Sequence, residues 1–257
     1  ICVTCGGTEA MMAAMMTICN PGDKVMVFSP FYENYGADAI LSGAEPIYIP
    51  LVPPEYEFDL SLIEKGFAEG AKALILCNPS NPCGKVFRRD ELEAIARLAI
   101  KYDAFVVTDE VYEHIVYAPA EHICMASLPG MFEHTITCNP LQEAAVAGLT
   151  MPASYYEGLR ALYTEKRDHF LAGLDAIGLK HNVPQGTYFV MIDISDFLAL
   201  PQFKGWTDLE FCEWMIKNIG VAAPARASSK SRSTTSSGCI LPAAPTCWTR
   251  RCIVWQS

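Results

Sequence analysis

A carboxylate, Asp109, ends an apolar run in the sequence Val-Val-Thr-Asp-Glu-Val-Tyr at residues 106–112. A carboxylate at the end of a buried strand is costly unless a cation or hydrogen-bond donors meet it. A protonated ring nitrogen is one cation that could do so, and Tyr112 is a second polar group three residues further on. The alternative interpretation is that Asp109 caps a helix that follows the strand.

A second candidate is the loop at residues 78–84, Asn-Pro-Ser-Asn-Pro-Cys-Gly, which follows the apolar run 73–77. Two Asn-Pro turns and a glycine favour a rigid loop, because proline restricts the backbone and glycine allows a sharp turn. Such a loop can present the amide of Asn81 to a ligand. The alternative is a tight turn in which the asparagine side chains cap their own backbone.

Two further groups suit a phosphorylated, planar ligand. Gly7 and Thr8 precede a predicted helix, and the N–H groups at a helix N-terminus form an anion site. Tyr32, in the segment Pro-Phe-Tyr-Glu-Asn-Tyr, can offer an aromatic face to a planar ring. Both groups also have ordinary interpretations, since threonine is a common N-cap and aromatic side chains commonly fill a core.

The elements that must position these groups are visible in the hydrophobic pattern. Short apolar strands alternate with helices, which indicates an α/β fold with a mostly parallel sheet. Ligands bind such sheets at the carboxyl ends of the strands, where these groups are predicted to lie. The predicted strands are residues 1–5, 24–28, 46–50, 73–77 and 104–108, and the predicted helices are residues 9–19, 31–42, 60–68 and 90–101.

The second half of the chain predicts a smaller α+β domain. Its elements are a long amphipathic helix at residues 152–177, a strand at 189–194 and a helix at 207–218. Beyond residue 223 the sequence shows neither the hydrophobic period of a helix nor that of a strand, and residues 227–237 are almost all Ser, Thr, Lys and Arg.

Composition limits the classes of function. The chain has 257 residues and a net charge of −10, which argues against a nucleic-acid partner or an anionic membrane surface. No apolar run is long enough to span a bilayer, and no signal peptide is visible. The eleven cysteines include one C-x-x-C pair, Cys2 and Cys5, without a second pair at zinc-site spacing. We therefore predict no metal, reduced cysteines and a cytoplasmic location.

In this order and at these separations, the motifs resemble the large domain of the class I/II, fold-type I aminotransferases, which use pyridoxal 5'-phosphate. The match runs through T-x-G-G-T-E-A, P-x-Y-x-x-Y, N-P-x-N-P-x-G and D-E-V-Y, continues weakly at residues 140–145, and ends with P-x-G-x-Y-F at 184–189. The resemblance implies a mostly parallel sheet with helices on both faces, a small α+β C-terminal domain, and a homodimer. It also implies amino acid and 2-oxo acid substrates.

Six positions match the family's noncovalent cofactor contacts: Gly7, Thr8, Tyr32, Asn81, Asp109 and Tyr112. By this resemblance, the N–H groups of Gly7 and Thr8 and the Thr8 hydroxyl would hold the phosphate, and Tyr32 would stack on the pyridine ring. Of the other three, Asn81 and Tyr112 would bind the phenolic oxygen. Asp109 would pair with the ring N–H⁺ and keep the ring able to accept electrons.

The sequence departs from the family at its catalytic lysine. The family places a Schiff-base lysine after D-E-V-Y, yet no lysine occurs here between Lys101 and Lys166. Residues 133–138 approach the lysine segment, and the chain then continues at 139 with a match to a later helix. We therefore predict a deletion near residues 138–139 that removes the Schiff-base lysine and a phosphate-binding arginine, so that no catalytic residue is assigned. Lys166 is predicted to lie on a solvated helix face.

The tail is the second departure. Read in the neighbouring frame, the codons of residues 224–230 permit P-G-S-S-F-F-K and those of 238–241 permit R-L-H-F, both typical of the family. Our hypothesis is an out-of-frame, disordered tail, in which the arginine that clamps the substrate carboxylate is encoded near Gly238 but not translated. The predicted domains are therefore an incomplete large domain at 1–151, also lacking the family's N-terminal part, a partial small domain at 152–223, and the tail at 224–257.

The predicted function by family is amino-group transfer between an amino acid and a 2-oxo acid, with the printed chain inactive because it lacks the lysine and the arginine. The alternative is a non-catalytic remnant with at most weak cofactor or phosphate binding. Another reaction of the same cofactor, such as carbon–sulfur lysis, is a further alternative, because a fold does not determine a reaction. A Rossmann dehydrogenase is disfavoured, since the G-x-G-x-x-G pattern is absent.

Overall fold

The computed structural model describes Cys2, residues 4–138 and 151–223, and the backbone of residues 236–240. Within these ranges, no helix is long and apolar enough to cross a membrane. The weak sequence match at residues 140–145 lies outside the described residues, as does the residue that follows the predicted deletion point.

A five-stranded parallel sheet forms the larger part of the fold. Its strands stand in the order β2-β1-β3-β4-β5. Cys77, Asp109 and Cys138 are aligned in register across the last three strands, so the carboxyl ends of these strands are level. The strands are β1 (Lys24–Ser29), β2 (Glu45–Pro50), β3 (Ala71–Cys77), β4 (Phe105–Asp109) and β5 (Thr135–Cys138).

Helices cover both faces of this sheet, as the sequence predicts. One core contains Met15 and Tyr35 from the first two helices, and the opposite core contains Ile63 and Leu92 from the next two. Strand β3 is buried on both faces, which explains its continuous apolar run. The helices are α1 (Gly7–Ile18), α2 (Asn34–Leu41), α3 (Leu60–Ala68) and α4 (Arg89–Lys101).

A smaller unit follows. Its elements are α5 (Ala153–Ala176), β6 (Phe189–Asp193), α6 (Ser195–Leu198), α7 (Asp208–Ile219) and β7 (Ser236–Ile240). Thr207 and Glu210 form a capping box at the start of α7, and Gly220 ends it in the left-handed conformation.

Strand β7 differs from the prediction of a disordered tail. Ser236–Ile240 pairs antiparallel with β6, and Gly238 stands opposite Met191. Local composition could not reveal this strand, because its partner lies more than forty residues away in sequence. The remainder of residues 224–257 lies outside the described residues.

The strand predicted at residues 1–5 was wrong for the residues described there, since Cys2, Thr4 and Cys5 are not in a strand. The other predicted elements are present, with ends shifted by at most three residues. The helix predicted at 31–42 begins at Asn34, because residues 31–32 are irregular and Glu33 lies in a turn. The Phe31 ring stacks on Tyr48 at 5.1 Å between centroids. The strand β5 was not predicted, since four residues are too few to show a period.

The two units meet where the loop 78–84 packs on residues 182–187. The N–H groups of Gln185 and Gly186 both donate to the carbonyl oxygen of Gly84, at 2.8 and 3.0 Å. The Asn182 amide donates to the carbonyl oxygen of Cys83 at 2.6 Å. This close backbone approach fixes the loop that carries Asn81.

Replacing Gly84 by alanine is expected to destabilise the fold by about 2–4 kcal/mol. Gly84 has φ +70°, and an added Cβ would lie 2.5 Å from the Pro184 Cβ. Gly178 is the matched control, since it has φ +73° with nothing within 4 Å of an added Cβ, so G178A should cost only about 1 kcal/mol. Urea unfolding of both variants measures the difference, and equal losses would show that the junction is not tightly packed.

Candidate functional site

The sheet topology has a switch point at the carboxyl ends of its central strands. Strand β1 lies between β2 and β3 in the sheet. The chain adds β2 on one side of β1 and then adds β3, β4 and β5 on the other side, so the direction in which strands are added reverses between β1 and β3. Such a switch point is where open α/β sheets bind ligands. A cavity of about 10 Å³ lies there, lined in part by Pro30, Tyr35, Cys77 and Asn81. It has room for about one water molecule, so a ring cannot lie inside it.

Asp109 ends β4 beside this switch point. The Tyr35 hydroxyl donates to its Oδ2 at 2.6 Å, and the Val111 N–H donates to its Oδ1 at 3.2 Å. Burial raises the pKa of Asp109, and the Tyr35 hydrogen bond partly offsets this rise. Among the residues described, no lysine, arginine or histidine forms an ion pair with this carboxylate. The arrangement therefore suits a cationic ligand group.

Two cysteines flank Asp109 on the neighbouring strands. Cys77 and Cys138 are its register partners on β3 and β5. Burial raises the pKa of Cys77, and it raises the pKa of Cys138 to about 12. Both side chains are therefore neutral thiols at pH 7 and line the site without acting as nucleophiles.

A hydrogen-bond chain connects the helix α1 terminus with the aromatic segment. The Asn34 amide donates to the Thr8 Oγ1 at 3.3 Å and to the Tyr32 hydroxyl at 3.2 Å. The Tyr32 ring meets the Tyr35 ring edge-on at 5.7 Å, and Tyr35 in turn binds Asp109. These contacts place the predicted phosphate and ring contacts beside the predicted carboxylate.

The start of α1 is open for an anion. Gly6 is the N-cap and has no side chain to cap the first N–H groups, while Gly7 is half-buried and Thr8 is exposed. The Glu9 carboxylate accepts a hydrogen bond from the Cys5 N–H. The terminus has the positive end of the helix dipole that favours a phosphate.

The loop 78–84 uses its two asparagines differently. The Asn78 Oδ1 accepts from the Phe87 N–H at 3.1 Å, and its amide donates to the Ile123 carbonyl at 3.3 Å. Asn78 therefore holds the loop through partners outside it, and not by capping its own turn. Asn81 is half-buried and lines the small cavity, so its position suits contact with a ligand.

Tyr112 is buried beyond the end of β4. Its hydroxyl donates to the Tyr188 hydroxyl at 3.3 Å, and the two rings are perpendicular at 5.2 Å. Burial, and then the bond to Tyr188, raise the pKa of the Tyr112 phenol. Tyr112 is thus a neutral hydrogen-bonding group.

Three residues at the site were missed by the sequence analysis as functional groups: Asn34, Tyr35 and Tyr188. Tyr35 and Tyr188 belong to the motifs P-x-Y-x-x-Y and P-x-G-x-Y-F, but the spacing within a motif does not predict which polar atom each hydroxyl contacts. Their partners lie 26, 74 and 76 residues away along the chain.

The described lysines near these elements are engaged elsewhere. Lys85 is almost fully buried and lies 2.9 Å from the Glu91 carboxylate. Lys166, predicted on a solvated face, is half-buried, and its Nζ lies 5.5 Å from the centre of the Tyr163 ring.

A group of potential metal ligands lies next to the site. Glu110, Glu113 and His122 bring one ligand atom each within 4.8 Å of the others. The Glu110 carboxylate already accepts from the Thr108 hydroxyl at 3.0 Å and lies 3.3 Å from the His122 Nε2. These contacts make it a buried polar cluster that supports the end of β4.

Comparison with known proteins gives consistent matches along the chain. The family model for aminotransferase class I and II matches residues 1–128 and 124–239. Kynurenine–oxoglutarate transaminase 1 from Homo sapiens is 32% identical over 285 aligned positions, covering 87% of this chain and 68% of the relative. A probable N-succinyldiaminopimelate aminotransferase from Mycobacterium tuberculosis is 31% identical, covering 87% of this chain and 65% of the relative. The chain thus spans about two thirds of the length of these curated relatives.

Solved structures of the same kind superpose on the fold. The N-succinyldiaminopimelate aminotransferase from Mycobacterium tuberculosis matches with a TM-score of 0.81 and 30% identity, covering 93% of this chain and 72% of the other. An aromatic aminotransferase from Pyrococcus horikoshii matches with a TM-score of 0.82 and 26% identity, covering 93% and 74%.

Proposed function

The chain belongs to the class I and II aminotransferase family, and from this premise we propose that it binds pyridoxal 5'-phosphate at the switch point. The observation that carries the proposal is Asp109, a half-buried carboxylate whose hydrogen-bond donors among the described residues, Tyr35 and Val111, are neutral. A pyridinium N–H⁺ supplies the cation that this site suits. The open start of α1 fits the phosphate of the same molecule.

The six predicted residues supply the proposed contacts to the cofactor. The N–H groups of Gly7 and Thr8 and the Thr8 hydroxyl hold the phosphate, and Tyr32 lies against the ring. The Asn81 amide and the Tyr112 hydroxyl donate to the phenolic oxygen. When bound, pyridoxal phosphate supplies an electron sink for a carbanion at the substrate Cα. Asp109 stays ionised against the ring nitrogen and thereby maintains that property.

We propose amino-group transfer between an amino acid and a 2-oxo acid as the reaction of a complete protein of this kind. The printed chain is proposed to bind the cofactor without turnover, because no lysine lies between Lys101 and Lys166. Two observations support a missing internal segment. The family match comes in two pieces, and the alignment with the human relative runs over 285 positions, more than the 257 residues of the chain.

The binding proposal is tested with 4-deoxypyridoxine 5'-phosphate, which lacks the aldehyde and so reports noncovalent contacts alone. Its fluorescence is followed on titration with the chain. Replacing Thr8 by alanine should raise the Kd about tenfold, because one hydrogen bond to a charged phosphate is lost. Thr17→Ala is the matched control, since Thr17 is exposed on the same helix and its hydroxyl bonds only the Ala13 carbonyl in the structure. Equal Kd values for T8A and T17A would contradict the phosphate site.

The out-of-frame tail remains part of the proposal. Resequencing the gene across codons 138–139 and 221–225 tests it together with the internal deletion. A lysine segment and an in-frame arginine would make the complete protein a candidate for substrate screening, whereas codons incompatible with the alternate frame would refute the frameshift. A homodimer and a cytoplasmic location stay expectations from the family and from the cysteine content.

A further inference from the structure

We propose that Tyr188, which the smaller unit contributes to the site, is a positioning residue for Tyr112. It orients the Tyr112 hydroxyl so that this group donates to the phenolic oxygen of a bound pyridine ligand. The inference rests on the proposed function, because that function supplies the acceptor oxygen. Tyr188 is not one of the six predicted contacts. Because it lies in the smaller unit, the site on the larger unit would depend on the smaller one.

The contact between the two tyrosines is specific in both ring and hydroxyl. Their rings are perpendicular with centroids 5.2 Å apart, which is a favoured aromatic geometry. Their hydroxyl oxygens are 3.3 Å apart. Phe189 also packs edge-on against Tyr112 at 5.9 Å, so the Tyr112 ring is enclosed from this side. Tyr188 is therefore placed to select one orientation of the Tyr112 phenol.

The backbone that carries Tyr188 is held in an uncommon conformation. Thr187 has φ +66°, which is rare for a β-branched residue and persists only where the surroundings enforce it. Its N–H donates to the Ile115 carbonyl at 2.8 Å, and its own carbonyl accepts from the Tyr117 hydroxyl at 2.6 Å. Thr187 is fully buried, and its Oγ1 accepts from the Phe189 N–H at 3.2 Å. These bonds fix where the Tyr188 side chain leaves the backbone.

A hydroxyl can donate one hydrogen bond and accept others at the same time. In the free chain, Tyr112 donates to Tyr188. With an acceptor oxygen bound, Tyr188 can donate to Tyr112 while Tyr112 donates to the ligand. The second bond strengthens the first, because hydrogen bonds in a chain polarise one another in a buried site. Tyr188 thus acts on the ligand through Tyr112 without having to touch it.

The test compares Tyr188→Phe with Tyr163→Phe. The first variant keeps the ring and removes only the hydroxyl. The second is the matched control, because Tyr163 contacts Tyr188 through its ring, with centroids 6.2 Å apart. Two probes are titrated against each variant: 4-deoxypyridoxine 5'-phosphate and an otherwise identical pyridine phosphate without the 3-hydroxyl. The ¹³C resonance of the Tyr112 Cζ is recorded in the absence of ligand.

We expect Y188F to raise the Kd of the hydroxyl-bearing probe about fivefold to tenfold and to shift the Tyr112 resonance. The Kd of the probe without the hydroxyl should stay unchanged, and Y163F should change neither value. If Tyr188 had a merely structural role, Y188F would raise the Kd of both probes equally, and that outcome would overturn the inference. If Y188F binds both probes as the unmodified chain does, the inference is also wrong while the proposed function stands. If the unmodified chain binds neither probe, the proposed function fails and this inference falls with it.

Discussion

Replacing Asp109 by asparagine is expected to raise the melting temperature of the free chain while it weakens binding of 4-deoxypyridoxine 5'-phosphate about a hundredfold. The two effects have one cause. In the free chain the carboxylate is half-buried and its donors among the described residues are neutral, and in the complex it would pair with the pyridinium. The substitution removes the desolvation penalty of the carboxylate from the free chain, and it removes the ion pair with the pyridinium from the complex.

The sign of the stability change follows from the pKa of Asp109. Burial raises this pKa above the value of 3.8 expected for the unfolded chain. The folded state therefore binds the proton more tightly, and the stability gained from protonation is lost as the pH rises through the raised pKa. At pH 7 the ionised group destabilises the fold, so D109N should gain about 1 kcal/mol, or roughly 2–4 °C at this chain length. Below pH 3.8 the gain should disappear.

Differential scanning fluorimetry at pH 7 and at low pH, with the probe titration, checks both parts. Asp103→Asn is the matched control, because the Asp103 side chain is 98% exposed. It should change neither the melting temperature nor the Kd. A lower melting temperature for D109N at pH 7 would mean that the free chain already compensates the charge of Asp109, and it would remove the main support for a cationic ligand.

The second large effect is expected in turnover. The printed chain should transaminate at least about a thousandfold more slowly than a complete member of the family, because loss of a covalent nucleophile commonly costs several orders of magnitude. The assay follows formation of the new amino acid from a 2-oxo acid by chromatography, with pyridoxal phosphate in excess. A complete family member, assayed alongside at equal active-site concentration, is the reference.

Turnover within about tenfold of the reference would contradict the prediction and would require a lysine from elsewhere in the chain. Reduction with borohydride in the presence of pyridoxal phosphate, followed by peptide mapping, would then identify it. Lys166 is the lysine to inspect first, because its Nζ lies over Tyr163, which stacks on Tyr188. The Kd of 4-deoxypyridoxine 5'-phosphate measures noncovalent binding separately from turnover, since this binding does not need the lysine.

Residue types and their spacing were enough to predict the family and the layered α/β architecture, and they supplied the six candidate contacts. The helix Leu60–Ala68 was predicted to the residue, because a helix buries one face and its period is visible in neighbouring residues. Asp109 was identified because a carboxylate after a buried run is physically costly. The absence of lysine between Lys101 and Lys166 is likewise a property of the sequence alone.

Which polar atoms meet could be seen only in the three-dimensional arrangement of the elements. The Tyr35 hydroxyl on Asp109, the Asn34 amide on Thr8 and the Tyr188 hydroxyl on Tyr112 each join residues far apart in the chain. Strand β7 likewise could not be predicted from its own residues, since its pairing with β6 depends on a distant partner rather than on local composition. Hydrogen bonds and strand pairs depend on distances of a few ångströms between separate elements, and residue types and spacing carry no such distances.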